Sequence, residues 1–481
     1  MNSDELYEII ETFGGGGMGL VHRARHRLWN IEVAVKHPRP EFLLHREQVE
    51  SFQSECETWA EIGLHPYVAT CYYTREIENL PCVVAEYVPD GSLQDAIRNR
   101  SLYKGDEEAC LARLLTIAAS TAWGLARAHE SNLIHCDVKP GNMLLTSYGI
   151  GKIADFGLAA AFDPSGAGAK AAGLTPVFAS PEQIKGERLT PAADVWSWAA
   201  SMLAMFVGEI HWESGTACGA VLTEFIEKGA KAYRIPAMPG KFASLLQKCL
   251  RYSPIERSQN LNEVAMAICE IHEQLYGEAC PAGKPDLELT STDSLNNRAV
   301  SKHDLNLTSD VHRLLAEALA IDALHPEANF NLAWLAFLGS GAISESALRN
   351  LDLVTRYDHG EYRPHLYRAC LLNLQGESDL ANQALNQAIQ LCGVHEINDM
   401  ERLWNFSRER KLNLILSPPI SGEDLALDAE RFGRLMAKTE AALEDRRYDD
   451  ADRYLLMSGD IKGFARHPRR RVLLSKSSKS Q

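Results

Sequence analysis

The stretch "LIHCDVKPGNMLL", residues 133 to 145, sets Asp137, Lys139 and Asn142 in a loop between two apolar runs. A carboxylate can accept a proton from a hydroxyl, a lysine can neutralise a moving phosphoryl group, and an amide can ligate Mg²⁺. Ten residues past Leu145 comes "ADFGLA", in which Asp155 offers a second metal ligand. Taken singly, each residue reads better as a solvated loop carboxylate or a turn former. A constellation upstream has to decide.

That constellation begins at "EIIETFGGGGMGLVHRA", residues 8 to 24, where glycine fills Gly14 to Gly17 and again Gly19. Glycine costs backbone entropy and packs nothing, so something must need the bare backbone. A Walker-type loop would end in Gly-Lys-Ser/Thr, but Gly19 is followed by Leu20 and Val21. A dinucleotide fingerprint would lead into a helix, whereas "LVHRARHRLWNIEVAVK" alternates and is rich in strand formers. The third option is a turn between antiparallel strands lying over phosphates, and Gly14-x-Gly16-x-x-Gly19-x-Val21 fits it. Alone, this motif competes with a plain flexible hairpin.

The partners follow in order. "VAVK", Val33 to Lys36, puts a lysine in an apolar strand, where it must reach an anion or be costly to bury. On the following polar helix Phe52, Trp59 and Ile62 make an inner stripe, and Glu55 can pair with Lys36; Glu57 is the rival on another face. "PCVVAEYVPDGSL" then reads as a buried strand ending at Glu86-Tyr87-Val88, a candidate adenine-binding hinge.

Residues 1–276 resemble a eukaryotic-like (Hanks-type) serine/threonine protein kinase of the kind found in bacteria. The order and spacing of the glycine loop, Val-Ala-Val-Lys, glutamate, His-x-Asp-x-Lys-Pro-x-Asn and Asp-Phe-Gly carry the resemblance. It implies an α+β two-lobed protein-kinase fold that uses ATP and Mg²⁺. The implied nucleotide pocket uses Gly14, Gly16, Gly19 and Val21 from the loop, and Ala34 and Lys36 from the next strand. Ala85, Glu86 and Val88 line its hinge. The implied chemistry gives Lys36 to the α/β-phosphates, held by Glu55, and Asn142 and Asp155 to the metal. Asp137 orients and deprotonates the acceptor hydroxyl, and Lys139 steadies the γ-phosphate. Thr175 in "GLTPVFASPE" organises the acceptor site, which matches serine/threonine rather than tyrosine kinases. Asp194 braces the catalytic loop, and Arg257 pairs with Glu182 of "SPEQ".

Departures are informative. The family's His-Arg-Asp is His135-Cys136-Asp137 here, so no arginine waits for an activation-loop phosphate. That loop is almost all Ala and Gly, with Ser165 and Thr175 as its hydroxyls. Ala85 at the gatekeeper position leaves a pocket behind the adenine.

At 481 residues the chain needs two or three domains. Residues 277–309 are rich in turn formers and read as a linker. From residue 310 to 465 the pattern is helical. Ala347, Leu351 and Val354 recur as Ala381, Leu385 and Ala388, each 34 residues on, the tetratricopeptide period. This part resembles an all-α tetratricopeptide-like repeat domain, with a generic helical bundle as the alternative, and would take a protein or peptide ligand. "ALEDRRYDDADRYLL" reads as a further hairpin, and residues 466–481 as a basic, disordered tail.

A net charge of −15 argues against nucleic acid as partner. Eleven scattered cysteines without a C-x-x-C pair fit reduced thiols in the cytoplasm. No secretion signal or membrane span is expected. The expected function is phosphorylation of protein serine/threonine hydroxyls, with the repeats recruiting substrate or regulator. The rival is a pseudokinase scaffold that binds proteins through the repeats.

Overall fold

The alternating N-terminal stretch builds a curved antiparallel sheet. Its strands are β1 (Tyr7–Phe13), β2 (Gly19–His26), β3 (Ile31–Pro38), β4 (Cys71–Ile77) and β5 (Leu80–Glu86), in the order β1-β2-β3-β5-β4. The computed structural model describes residues 7–417 except 14–18, 28, 40–51, 53–57, 78–79, 157–159, 162–173, 230–234, 286–291, 306, 308–309, 358–360, 394–396 and 410–413. Residues 436 and 438–441 are described as well.

Period-two alternation gives the sheet two faces. Ala24, Val33, Val35, Tyr73, Cys82 and Val84 bury one of them in a small core of their own. Register places Val21 against Lys36, Ala34 against Ala85 and Lys36 against Val83 on the other face. That second face looks toward the larger lobe.

The larger lobe is helical and forms around one core. The helix α1 (Leu93–Arg98) precedes α2 (Glu107–Glu130), which starts at Asp106, whose side chain caps the Ala109 amide at 2.7 Å. By length and composition α2 could cross a bilayer, but it is a core helix, 78% buried over its most apolar window. Short strands β6 (Leu133–Ile134), β7 (Met143–Leu145), β8 (Gly151–Ile153) and β9 (Ala160–Ala161) pair as β6–β9 and β7–β8. They fix both ends of the 133–145 loop. After α3 (Pro181–Ile184), the helix α4 (Pro191–Val207) begins with Pro191 and stops at Gly208, whose φ of 81° only glycine adopts easily. The lobe closes with α5 (Cys218–Lys228), α6 (Gly240–Cys249) and α7 (Leu261–Tyr276), which packs on α2.

Residues 277–309, expected as a linker, need correction. Ala282 is fully buried; its carbonyl accepts from Trp123 at 3.2 Å, and the Gly283 carbonyl accepts from the Tyr67 hydroxyl at 2.7 Å. Residues 292 onward form a helix, α8 (Thr292–Asp304), packed on β4. Its polar sequence hid it, because its buried face is partly asparagine and serine: Asn296, Asn297 and Ser301.

Beyond it come α9 (Val311–Ile321), α10 (Pro326–Ser340), α11 (Glu345–Tyr357), α12 (Arg363–Gln375), α13 (Ser378–Leu391) and α14 (Ile397–Glu409). From α8 to α13 successive helices pack together, and α14 packs on α12, around Leu315, Phe330, Trp334, Leu351, Tyr367 and Leu371. Of the residues that recur at the 34-residue spacing, Ala347, Leu351, Val354, Ala381 and Ala388 are buried. The tail, and the hairpin expected after residue 441, lie outside the described residues.

Candidate active site

The 133–145 loop is shaped by what lies beneath it. Asp194, 1% exposed on α4, accepts from the His135 amide at 2.8 Å, the Cys136 amide at 3.0 Å and His129 Nε2 at 2.8 Å. Gln183 donates to the Cys136 carbonyl at 2.7 Å. The chain leaves this brace with Asp137 at the mouth of the cleft between the lobes. Glu182 and Arg257, both buried, form a bidentate pair at 2.6 and 2.8 Å behind α3.

Three expected residues converge on Asp137. Lys139 Nζ donates to Asp137 Oδ2 at 2.5 Å, and the Thr175 hydroxyl to Oδ1 at 2.7 Å. Lys139 also reaches Thr175 Oγ1 at 3.1 Å. Asn142 Nδ2 donates to the Asp137 carbonyl at 2.9 Å and to Oδ2 at 3.3 Å. With its nitrogen so engaged, Asn142 has its side-chain oxygen to offer a cation.

Across the cleft, Lys36 Nζ meets Asp155 Oδ1 at 2.6 Å. Burial alone would raise the Asp155 carboxyl, but Lys36, with His135 and Lys139 nearby, holds it below the usual carboxylate range. Asp155 sits at φ 63°, a left-handed conformation that turns its carboxylate toward the lysine. Next to it, Phe156 is fully buried between the Trp59 and His135 rings, at centroid distances of 6.1 and 4.8 Å. Glu55, Gly14 and Gly16 lie outside the described residues.

The sheet supplies the roof. Val21, Ala34, Lys36 and Ala85 share its lower face, and small Ala34 and Ala85 stand opposite each other, leaving room for a flat ring. Val88 is buried just beyond β5. A Cβ on Gly19 would stand 2.9 Å from the His37 carbonyl oxygen, so the glycine permits a close backbone approach there. The donor set fits ATP·Mg²⁺. Asn142 and Asp155 offer hard oxygens, which suit a cation held by one or two protein ligands plus phosphates. Lys36 and Lys139 offer charge to the phosphates.

Sequence reasoning missed one pair. Lys152, fully buried on β8, donates to Glu86 Oε1 at 2.5 Å, and the Thr70 amide donates to Oε2 at 3.1 Å. The hinge is thereby tied by side chains to the strand leading into Asp155. A lysine among apolar residues in "GKIADF" was the available signal, the same one that singled out Lys36.

Residues 7–270 match the protein kinase domain family, and the chain belongs to it. Among similar proteins, the serine/threonine-protein kinase drp72 of Corynebacterium efficiens is 32% identical over 276 residues, 55% of this chain and 50% of that protein. The serine/threonine-protein kinase PknA of Corynebacterium glutamicum is 32% identical over 276 residues, 55% of this chain and 56% of its own length. PknB of Mycolicibacterium smegmatis is 28% identical over 297 residues, 60% of this chain and 46% of its own length. The chain thus spans about half the length of these curated relatives.

Proposed function

We propose that this chain transfers the γ-phosphoryl group of ATP to serine or threonine hydroxyls of proteins. The helices after residue 310 act as a tetratricopeptide-like module that recruits a substrate or regulator. The observation that carries the catalytic reading is the knot of Asp137, Lys139 and Thr175, each within 3.1 Å of the next. Its composition also supports the serine/threonine class, since both the lysine and the threonine face the carboxylate that would meet the acceptor.

Bound ATP·Mg²⁺ supplies the phosphoryl group and a cation to neutralise its charge. The protein's part is positioning and electrostatics. Asp137 accepts the proton as the acceptor oxygen bonds to phosphorus and the bond to the bridging oxygen breaks. Lys139 and Thr175 hold that carboxylate toward the acceptor, and Lys139 offsets charge on the moving group. Asn142 and Asp155 would hold the metal, and Lys36, already paired with Asp155, would offer its charge to the α/β-phosphates. Support for the repeat reading is the recurrence of buried small and aliphatic residues on α11 and α13, after Gly341 and Gly376, which both end their helices left-handed.

The test is phosphotransfer by the full chain with Mg·ATP and a protein acceptor, with phosphosites mapped by mass spectrometry. Phosphate on serine or threonine is expected. A wild-type chain that transfers no more phosphate than Asp137→Ala would leave only the scaffold reading.

A further inference from the structure

Helix α8 lies outside the segment that matches the kinase family, yet it is built into the small lobe. Ser301 Oγ accepts from the Thr74 amide at 3.0 Å, a backbone group of β4. Asp304 Oδ2 accepts from Arg75 Nε at 2.6 Å, with only 14% and 18% of the two side chains exposed. Lys302 reaches Glu61, on the helical stretch 58–62, at 3.9 Å. A narrow crevice at the start of α8 is lined by Asp293, Ser294 and Asn297 from the helix and by Leu64, Thr70 and Cys71 from the lobe. The other side of α8 is tied into the helical region. Asn297 exchanges two hydrogen bonds with the Ser417 backbone, at 2.7 and 3.0 Å. Asn331 of α10 bonds Asn296 at 2.8 Å and exchanges two bonds with the Ile415 backbone. Leu416, between them, rests on the outer face of the sheet.

From β4 a short run of contacts leads to the active site. The Trp59 indole donates to the Ala69 carbonyl at 2.8 Å, two residues before β4. The Ala69 amide donates to the Ile153 carbonyl at 2.8 Å, two residues before Asp155. Trp59 and His135 enclose Phe156. Whatever holds β4 and residues 58–62 therefore holds Phe156, and with it the Asp155 carboxylate.

We propose that α8 is a positioning element of the kinase active site: through Ser301, Lys302 and Asp304 it fixes β4 and the helix of Trp59, so that phosphotransfer depends on the helical region. This rests on the kinase reading for its catalytic consequence, while the contacts that define it do not. None of the three residues touches substrate. Their part is to keep Asp155 placed, and misplacement of reacting groups by about 1 Å costs on the order of 10²-fold.

The experiment compares full-length wild type, Asp304→Asn and Asp304→Glu at a temperature where all are folded. It reads kcat and KM for Mg·ATP, together with hydrogen–deuterium exchange. Asp304→Asn keeps the shape and removes the charge that meets Arg75. It is expected to lower kcat/KM by about tenfold and to speed exchange in residues 58–62 and 151–156. Asp304→Glu, which restores the carboxylate, should recover most of both. Unchanged exchange in those two segments, or kcat/KM within about twofold of wild type, overturns the proposal. Should Asp304→Asn fail to fold, Ser301→Ala, which removes the bond from the Thr74 amide and the local one to the Asn297 carbonyl, is read by the same criteria. A wild-type chain without phosphotransfer would sink the kinase reading alone; the exchange data would then decide on α8.

Discussion

Cys136 holds a left-handed backbone, φ 65°, which costs a non-glycine residue on the order of 1–2 kcal/mol. Asp194 and Gln183 keep it there through the Cys136 amide and carbonyl. Its thiol is buried and turned to the Ile134 carbonyl at 3.5 Å. In relatives with arginine at this point, a phosphate on the activation loop gains about 1–3 charge-assisted hydrogen bonds. A buried thiol offers none. Phosphatase treatment of active protein is therefore expected to leave the initial rate on an exogenous peptide within a factor of about three, under 1 kcal/mol. A tenfold fall, reversed by autophosphorylation, would show a phosphate switch using some other cation. Asp137 carries the opposite expectation. Its carboxylate gathers Lys139, Thr175 and Asn142, and a positioned base is typically worth about 10²–10⁴ in rate. Asp137→Ala should lose that much kcat while the thermal shift with Mg·ATP persists. A mutant turning over at the wild-type rate would remove Asp137 from the mechanism.

At the scale of elements, a helix glycine makes a prediction of inverted sign. Gly124 lies inside α2, where alanine normally adds about 1 kcal/mol to a helix. Here a Cβ would stand 2.2 Å from the Tyr67 carbonyl oxygen, which itself accepts from the Ile153 amide at 2.9 Å. Backbone on both sides must move, and overpacking of this kind costs about 1–3 kcal/mol. Gly124→Ala is expected to lower the midpoint of thermal unfolding, and a rise would show that α2 can slide without penalty. The same scale separates what could be read in the sequence from what could not. The strands around Lys36 and the loop around Asp137 were legible because period-two alternation and fixed motif spacing report directly on the local chain. The docking of α8 was not, because hydropathy sees Asn296, Asn297 and Ser301 as solvated. Their polar groups are in fact paired with residues 415–417 and with β4. Buried asparagine is satisfied by distant backbone, and no local pattern announces the partner. Lys36 shows the same limit at a single residue. Its burial next to an anion was foreseeable, whereas its 2.6 Å contact with Asp155 depends on how the lobes close.

Across the whole molecule, two buried histidines set a limit on acid tolerance. Burial, with Arg75 close by, pushes the His26 imidazole down to about 3. Burial, with Arg127 and Lys152 close by, does the same to His65. His26 lies within the small lobe, hydrogen-bonded to Tyr73 at 3.0 Å, while His65 precedes the residues that join the two lobes. Both are neutral when folded and titrate near 6.5 when unfolded. The unfolded chain therefore binds more protons between about pH 6.5 and pH 3, so stability is full above 6.5 and falls as the pH drops through that window. By pH 5 each histidine should cost about 2 kcal/mol, which is a large share of a typical folding free energy. Above about pH 5 the lowered carboxyls of Asp155 and Asp304 add nothing to this slope, because they are ionised in both states. Thermal unfolding of the full chain between pH 7.0 and 5.0 should thus show a steadily falling midpoint. His26→Asn, which has no proton to gain, should show a shallower fall than wild type if it folds, the remainder coming from His65 and from His22 and His365, whose rings burial also holds below their usual value. A wild-type midpoint independent of pH over this range would mean that both rings are reached by water in the folded protein.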